Sequence, residues 1–311
     1  MGAYQQLYST GELKARVEKA KAILEECHLC PRHCGVDRPA GESGKCHVTT
    51  QVVISSYSPH FGEEAPLVGR HGSGTIFFAY CNLRCLFCQN YTISQLGEGS
   101  AVDREELARM MLALQAKGCH NINLVSPTHV MPYILDALEL AVSMGLHLPL
   151  VYNSGGYDSV ETLKLLDGVV DIYMPDMKYS DAKIAEQLSG IKDYPTVNRA
   201  AIKEMHRQVG DLQIDKQGIA QRGLLVRHLV FPNGLAGTKE IVSFLAKEVS
   251  TDTYLNIMAQ YHPCHKAFDI PQLSRSVSNE EFYQAIELAH QQGLNRLDKD
   301  NFMPPLRLIL R

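Results

Sequence analysis

Three cysteines, Cys81, Cys85 and Cys88, lie within eight residues at the end of an apolar run spanning residues 74–80. A strand that ends in a loop offering thiolates at fixed offsets suits a metal ion or an iron–sulfur cluster. Four thiolates would close a structural zinc site or an ordinary cluster, whereas three leave one metal position open to bind something else. A three-cysteine zinc site with an open water position has the same count. The Pro-Cys-x-x-Cys and His-x-Glu elements of a zinc deaminase are absent, since Arg84 precedes Cys85.

A second group, Cys27, Cys30, Cys34 and Cys46, occupies a short segment punctuated by Gly41 and Gly44. Four thiols fit a closed tetrahedral zinc site or a second iron–sulfur cluster, with His28, His33 and His47 as alternative ligands. Seven of the nine cysteines fall between Cys27 and Cys88, which concentrates metal or redox chemistry in the first third of the chain. Of the other two, Cys119 opens a strand and reads as a buried small hydrophobe. Cys264 belongs to a cluster with Gln260, Tyr261, His262 and His265, which suits either substrate contact or a packed loop.

The chain has 311 residues, 45% of them hydrophobic, enough for one large α/β domain with a small appendage. Lys and Arg number 30 against 34 Asp and Glu, so no basic footprint for nucleic acid is present. The first ten residues lack a charged region followed by an apolar one, and no run of about 18 apolar residues exists. Gln6 stands where a myristoylation signal has Ser or Thr. A cytoplasmic location without a membrane span is expected, and cysteines there serve as ligands or buried thiols rather than disulfides.

These residues need elements to position them. Residues 11–26 read as an amphipathic helix, and alternation over 48–57 as a strand or hairpin. From residue 73, strand-like runs at 75–80, 122–126, 148–153, 171–175, 224–231 and 253–260 alternate with helical patterns. The helices are expected over 103–117, 130–144, 159–166, 180–188, 194–209, 238–247 and 279–291. Asp103-Arg-Glu-Glu106 and Ser278-Asn-Glu-Glu281 carry acidic first turns suited to helix starts. Six strands each followed by a helix argue for parallel pairing through right-handed crossovers, in a doubly wound sheet or a barrel. The expected division is an N-terminal helix and four-cysteine extension over 1–65, then the α/β domain over 66–311.

The Cys-x3-Cys-x2-Cys spacing, with Phe87 just before the last cysteine, resembles the signature of radical S-adenosylmethionine (SAM) enzymes. The stretches 61–64, 73–78 and 89–94 resemble one branch, the proteins similar to pyruvate formate-lyase activating enzyme. So do 121–124, 151–157, 171–178, 227–230 and 256–261, which brings nearly the whole chain into the likeness. That resemblance implies a partial (β/α)6 TIM-like barrel. It also implies a 4Fe–4S cluster on Cys81, Cys85 and Cys88, with SAM on the open iron. One electron, from a donor such as flavodoxin or ferredoxin, would then cleave SAM to a 5′-deoxyadenosyl radical that abstracts hydrogen from a protein or small-molecule substrate.

Barrel enzymes gather their sites at the C-terminal ends of the strands. By resemblance, Asp176 and Lys178 after the fourth strand contact SAM, and His228 in the fifth lies near it. Phe87 joins this cofactor set through the signature. Relatives carry Gly-Gly-Glu after the second strand to bind the amino group of SAM, where this chain has Ser126, Thr128 and His129. Ser126 or Asn123 is expected to serve instead, and Asn153 and Ser154 to meet ribose or backbone. The glycine-rich stretch 69–74 precedes its strand rather than following it, so it is no dinucleotide fingerprint. The expected function is radical SAM chemistry, with glycyl-radical activation, modification of another peptide or small molecule, and a non-catalytic zinc- or cluster-binding protein as the three readings.

Overall fold

The computed structural model describes residues 2–298. Its N-terminal part holds α1 (Tyr4–Ser9), α2 (Glu12–Ala22), β1 (Val52–His60) and α3 (Ala65–Val68). Then follow β2 (Ser73–Phe78), α4 (Tyr91–Ser94), β3 (Ser100–Val102), α5 (Arg104–Ala116), β4 (Ile122–Val125) and α6 (Met131–Ser143). The central units are β5 (Leu150–Ser154), α7 (Val160–Lys164), β6 (Ile172–Pro175), α8 (Ala182–Ser189) and α9 (Tyr194–Val209). The last are β7 (Gln213–Ile214), β8 (Ala220–Leu229), α10 (Thr238–Phe244), β9 (Tyr254–Met258) and α11 (Asn279–Gln291).

Strands β2, β4, β5, β6, β8 and β9 pair in parallel in that order, each at one of the six expected runs. Helices cross between successive strands on one side, which is the partial (β/α)6 barrel. Strand β1 runs antiparallel beside β2, and the three-residue β3 runs antiparallel beside β1. The expected boundary at residue 65 falls between β1 and β2, so β1 belongs to the same sheet as the barrel strands. Residues 299–311, the end of the expected second domain, lie outside the described residues.

Strand alternation divides the sheet into two faces. Tyr152, Tyr173, Val226, Leu255 and Ile257 pack with the helices in the main core, joined by Met111 of α5 and Leu135 of α6. Their neighbours Val151, Ile172, Met174, Leu225 and Tyr254 form a separate cluster on the concave side with Leu67 of α3. Capping boxes start α5 (Asp103 with Glu106) and α11 (Ser278 with Glu281), as the acidic first turns predicted. Past the C-terminal end of α10 the backbone widens into a π-type turn over Leu245–Val249. Among the described residues no helix is long and apolar enough to cross a membrane.

Candidate active site

Past β2 the chain turns sharply into the cysteine loop. Tyr80 and Arg84 both adopt left-handed backbone conformations, with φ of 65° and 56°. Such conformations are rare outside glycine and cluster at functional sites. The Leu86 N–H donates to the Leu188 carbonyl at 2.8 Å, and Gln95 Nε2 donates to the Cys85 carbonyl at 2.8 Å. Phe87 turns its ring away from solvent, 4.8 Å from Phe231 and within 6.3 Å of Tyr179 and Tyr261. Phe87, expected beside the cofactor, anchors the loop through aromatic burial.

Each of the three sulfurs has a hydrogen-bonding neighbour. Leu83 N–H donates to Cys81 Sγ at 3.4 Å and Ser189 Oγ donates to Cys85 Sγ at 3.1 Å. Cys88 Sγ shares a 3.1 Å bond with Ser94 Oγ. Burial, and after it the neighbouring Cys85, pushes the Cys81 thiol up to about 12, and burial raises Cys88. A bound metal deprotonates such thiols outright, and donors aimed at sulfur then stabilise the thiolates. Among the described residues no three Cys, His, Asp or Glu side chains converge as on one metal ion. The three thiols lie within electrostatic reach of one another, each with a hydrogen-bonding neighbour at its sulfur, a donor set that suits a cluster held by three cysteines.

Buried Asp176 and Asn153 and half-buried Lys178 and Arg227 form one polar network at the strand ends. Lys178 Nζ lies 2.5 Å from Asp176 Oδ2, Arg227 Nε lies 2.9 Å from Asp176 Oδ1, and Arg227 Nη2 donates to Asn153 Oδ1 at 2.7 Å. Burial pushes the Asp176 carboxyl up, but Arg227 and then Lys178 outweigh it and hold it below its ordinary value. Burial likewise works against the Lys178 charge, and Asp176 and then Cys85 outweigh it. The ammonium thus lies in the field of the cysteine loop, close enough to influence Cys88 as well. Arg227 is the residue that sequence reasoning missed. Its adjacent position to His228 was the available signal, because alternation aims only one of the two at the lumen.

His228 faces the other way. The Met177 carbonyl can only accept, so Nδ1 at 2.8 Å carries the proton, and Nε2 accepts from the Thr238 hydroxyl at 2.9 Å. Burial lowers its pKa to about 4, so the ring is neutral. Expected near the cofactor, it holds the backbone between Asp176 and Lys178 through the Met177 carbonyl. Gly156 supports the same backbone from in front. It takes φ of 73°, and a Cβ there would stand 2.2 Å from both the Asp176 carbonyl and Asn198 Nδ2.

Asn123 is fully buried on β4, and neither atom of its amide has a partner among the described residues. Glu64, buried just before α3, gives Oε1 to Asn256 Nδ2 at 3.0 Å and leaves Oε2 without a hydrogen bond. Buried polar groups are rarely left so, and both face the lumen side of the sheet, available to a polar ligand. Ser126 keeps a half-buried side chain in a left-handed conformation, φ 60°, after β4. Thr128, Tyr152 and Ser154 instead donate to the buried Asp158 carboxylate at 2.7, 3.0 and 2.7 Å. His129 bonds the Ala79 carbonyl at 2.8 Å, so Thr128, His129 and Ser154 are engaged within the scaffold. The loop after β9 packs on the cysteine loop: Gln89 bonds the Gln260 carbonyl and His262, and His265 stacks on Tyr91 at 4.7 Å.

Cys27, Cys30 and Cys46 are buried beside α2, and Cys34 is half-buried with its sulfur where a Cβ on Gly44 would stand, 2.6 Å away. Arg38 Nη2 donates to Cys46 Sγ at 3.3 Å. Burial pushes the Cys30 thiol up to about 12, with Cys46 and Cys27 adding to the rise. Arg32, between Cys30 and Cys34, reaches the cysteine loop: its Nε donates to the Asn82 carbonyl at 2.9 Å.

The uncharacterized protein MJ0674 of Methanocaldococcus jannaschii is 33% identical over 293 residues, covering 91% of this chain and 80% of that one. The uncharacterized protein MJ0808 of the same organism is 24% identical over 303 residues, covering 89% and 84%. Among solved structures, a radical SAM methyltransferase from Sphaerobacter thermophilus shares the fold, with a TM-score of 0.52, 14% identity and coverage of 97% and 95%. The profile of the Radical SAM superfamily matches residues 75–209, from β2 through α9. That span contains all three loop cysteines, Asn123, Ser126, Asn153, Asp176 and Lys178, and ends before Arg227 and His228. The superfamily is characterised by a 4Fe–4S cluster and SAM, and this chain belongs to it.

Proposed function

We propose that Cys81, Cys85 and Cys88 hold the 4Fe–4S cluster and that SAM binds between it and the Asp176–Lys178 turn. The substrate proposed first is a peptide glycine, as in pyruvate formate-lyase activating enzyme. One observation carries the cofactor assignment: Lys178, half-buried and paired with the buried Asp176 at the end of β6, lies within the electrostatic reach of Cys85 and Cys88. When bound, the cluster supplies the electron that cleaves SAM to a 5′-deoxyadenosyl radical. Lys178 holds the methionine carboxylate by charge and Asp176 accepts from ribose hydroxyls. Asn153, already turned toward Arg227, borders the ribose. Ser126 and Asn123 take the amino group in place of Gly-Gly-Glu, while Phe87 and His228 position the loop and the turn. A flavodoxin or ferredoxin supplies the electron.

A small-molecule substrate is a second reading, supported by the buried Glu64 Oε2, which has no hydrogen-bond partner among the described residues. Cys27, Cys30, Cys34 and Cys46 are proposed to hold zinc or a second cluster in an N-terminal extension. Anaerobic incubation of the reconstituted, reduced protein with SAM should release 5′-deoxyadenosine, and Cys88→Ala should abolish it. A glycine-centred radical signal on a candidate partner protein supports the activase reading; 5′-deoxyadenosine release without one directs the search to the small-molecule reading.

A further inference from the structure

We infer that Arg32 is a positioning residue that raises the reduction potential of the cluster held by Cys81, Cys85 and Cys88, acting through peptide groups that hydrogen-bond the sulfurs. The inference rests on those cysteines holding the cluster. Arg32 Nε donates to the Asn82 carbonyl at 2.9 Å. The N–H of that same peptide, on Leu83, donates to Cys81 Sγ at 3.4 Å. Arg32 Nη2 donates to the Leu83 carbonyl at 3.2 Å, and the N–H of that peptide, on Arg84, is directed at the same sulfur. Nη2 also reaches the Ser189 carbonyl at 3.3 Å, and Ser189 Oγ donates to Cys85 Sγ at 3.1 Å. Nη1 reaches the Gly190 carbonyl at 3.4 Å.

The guanidinium thus pulls on the oxygen end of two peptides whose nitrogen ends face a ligand sulfur. A hydrogen bond at one end of an amide polarises it and strengthens the bond at the other end. Reduction adds one electron, and so one negative charge, to the cluster. Hydrogen bonds to the ligand sulfurs stabilise that charge and raise the potential, as does a cation nearby. Two carbonyls held by one planar fork are a task for Arg rather than Lys, whose ammonium is a point donor. Arg32 lies between Cys30 and Cys34, so the fork is carried by the four-cysteine segment, and the state of that segment is coupled to the cluster.

The test is a reductive titration of the reconstituted holoprotein without SAM, using mediators and following the cluster by electron paramagnetic resonance. Iron, acid-labile sulfide and a cluster signal in the wild type are the precondition; their absence refutes the cluster assignment itself. With the cluster present, Arg32→Ala should lower the reduced-to-oxidised ratio at a fixed potential roughly tenfold, which is 59 mV for one electron. Arg32→Lys should fall between the two. A wild-type midpoint in Arg32→Ala overturns the inference. If Arg32→Ala fails to retain iron, the Arg32→Lys midpoint decides: a negative shift supports the inference and a wild-type value overturns it.

Discussion

Arg227 Nε stands 2.9 Å from Asp176 Oδ1 while Lys178 Nζ takes the other carboxylate oxygen, so one buried acid holds two half-buried cations. Removing one partner of a buried pair leaves uncompensated charge, at a cost of about 3–5 kcal/mol. Asp176→Asn keeps the shape and loses the charge. Urea unfolding should show a loss of that order, and SAM affinity measured by calorimetry should fall with it. Unchanged unfolding would mean that the network contributes nothing to the fold.

Phe87 packs its ring edge against Phe231, at 73° and 4.8 Å, one position before Cys88. Truncating a buried Phe costs about 3–5 kcal/mol. Phe87→Ala should lower the melting temperature and release iron faster on dilution, whereas Phe87→Leu should retain most of both. Wild-type melting and iron retention in Phe87→Ala would refute the anchoring role.

Two buried histidines set a pH dependence. Burial holds His129 and His228 at about 4, against an ordinary value of 6.5. Between those values the unfolded chain binds the extra protons, so stability is full above pH 6.5 and declines as pH falls toward 4. The loss by pH 5.5 is about 1 kcal/mol per histidine. Unfolding at pH 7.5 and 5.5 should show it, and His228→Gln, which can still donate and accept, should remove about half. A flat wild-type profile would contradict the neutral buried rings.

Cys30 is buried within electrostatic reach of Cys27 and Cys46, beside the Asn82 side chain that leads to the signature loop. Cys30→Ser should remove the metal held by the four-cysteine segment while leaving the signature cluster's iron in place. Elemental analysis of both proteins identifies what is lost, zinc or iron. Equal metal content in variant and wild type would contradict a metal site there.

The six barrel strands were legible because each is a continuous or alternating apolar run bounded by turn residues, as at Leu150–Ser154. Strands β3 and β7, three and two residues long, are too short for periodicity to register. Cys81, Cys85 and Cys88 were legible because their spacing is local. Arg227 was not, because its role depends on a partner on another strand: the Asp176 bridge is made only when β6 and β8 align. The same holds for Phe87, whose neighbours Tyr179, Phe231 and Tyr261 come from three distant segments. Local pattern named the residue, and only the fold shows which way its ring turns.

The central claim is that three thiols leave a cluster with one iron position to which SAM binds. Electron paramagnetic resonance of the reduced, anaerobically reconstituted protein, recorded with and without SAM, tests it most directly. A 4Fe–4S signal whose shape changes on adding SAM, and which is lost in Cys85→Ala, is the predicted result. A protein that holds only zinc, or a cluster whose spectrum is the same with and without SAM, would contradict it.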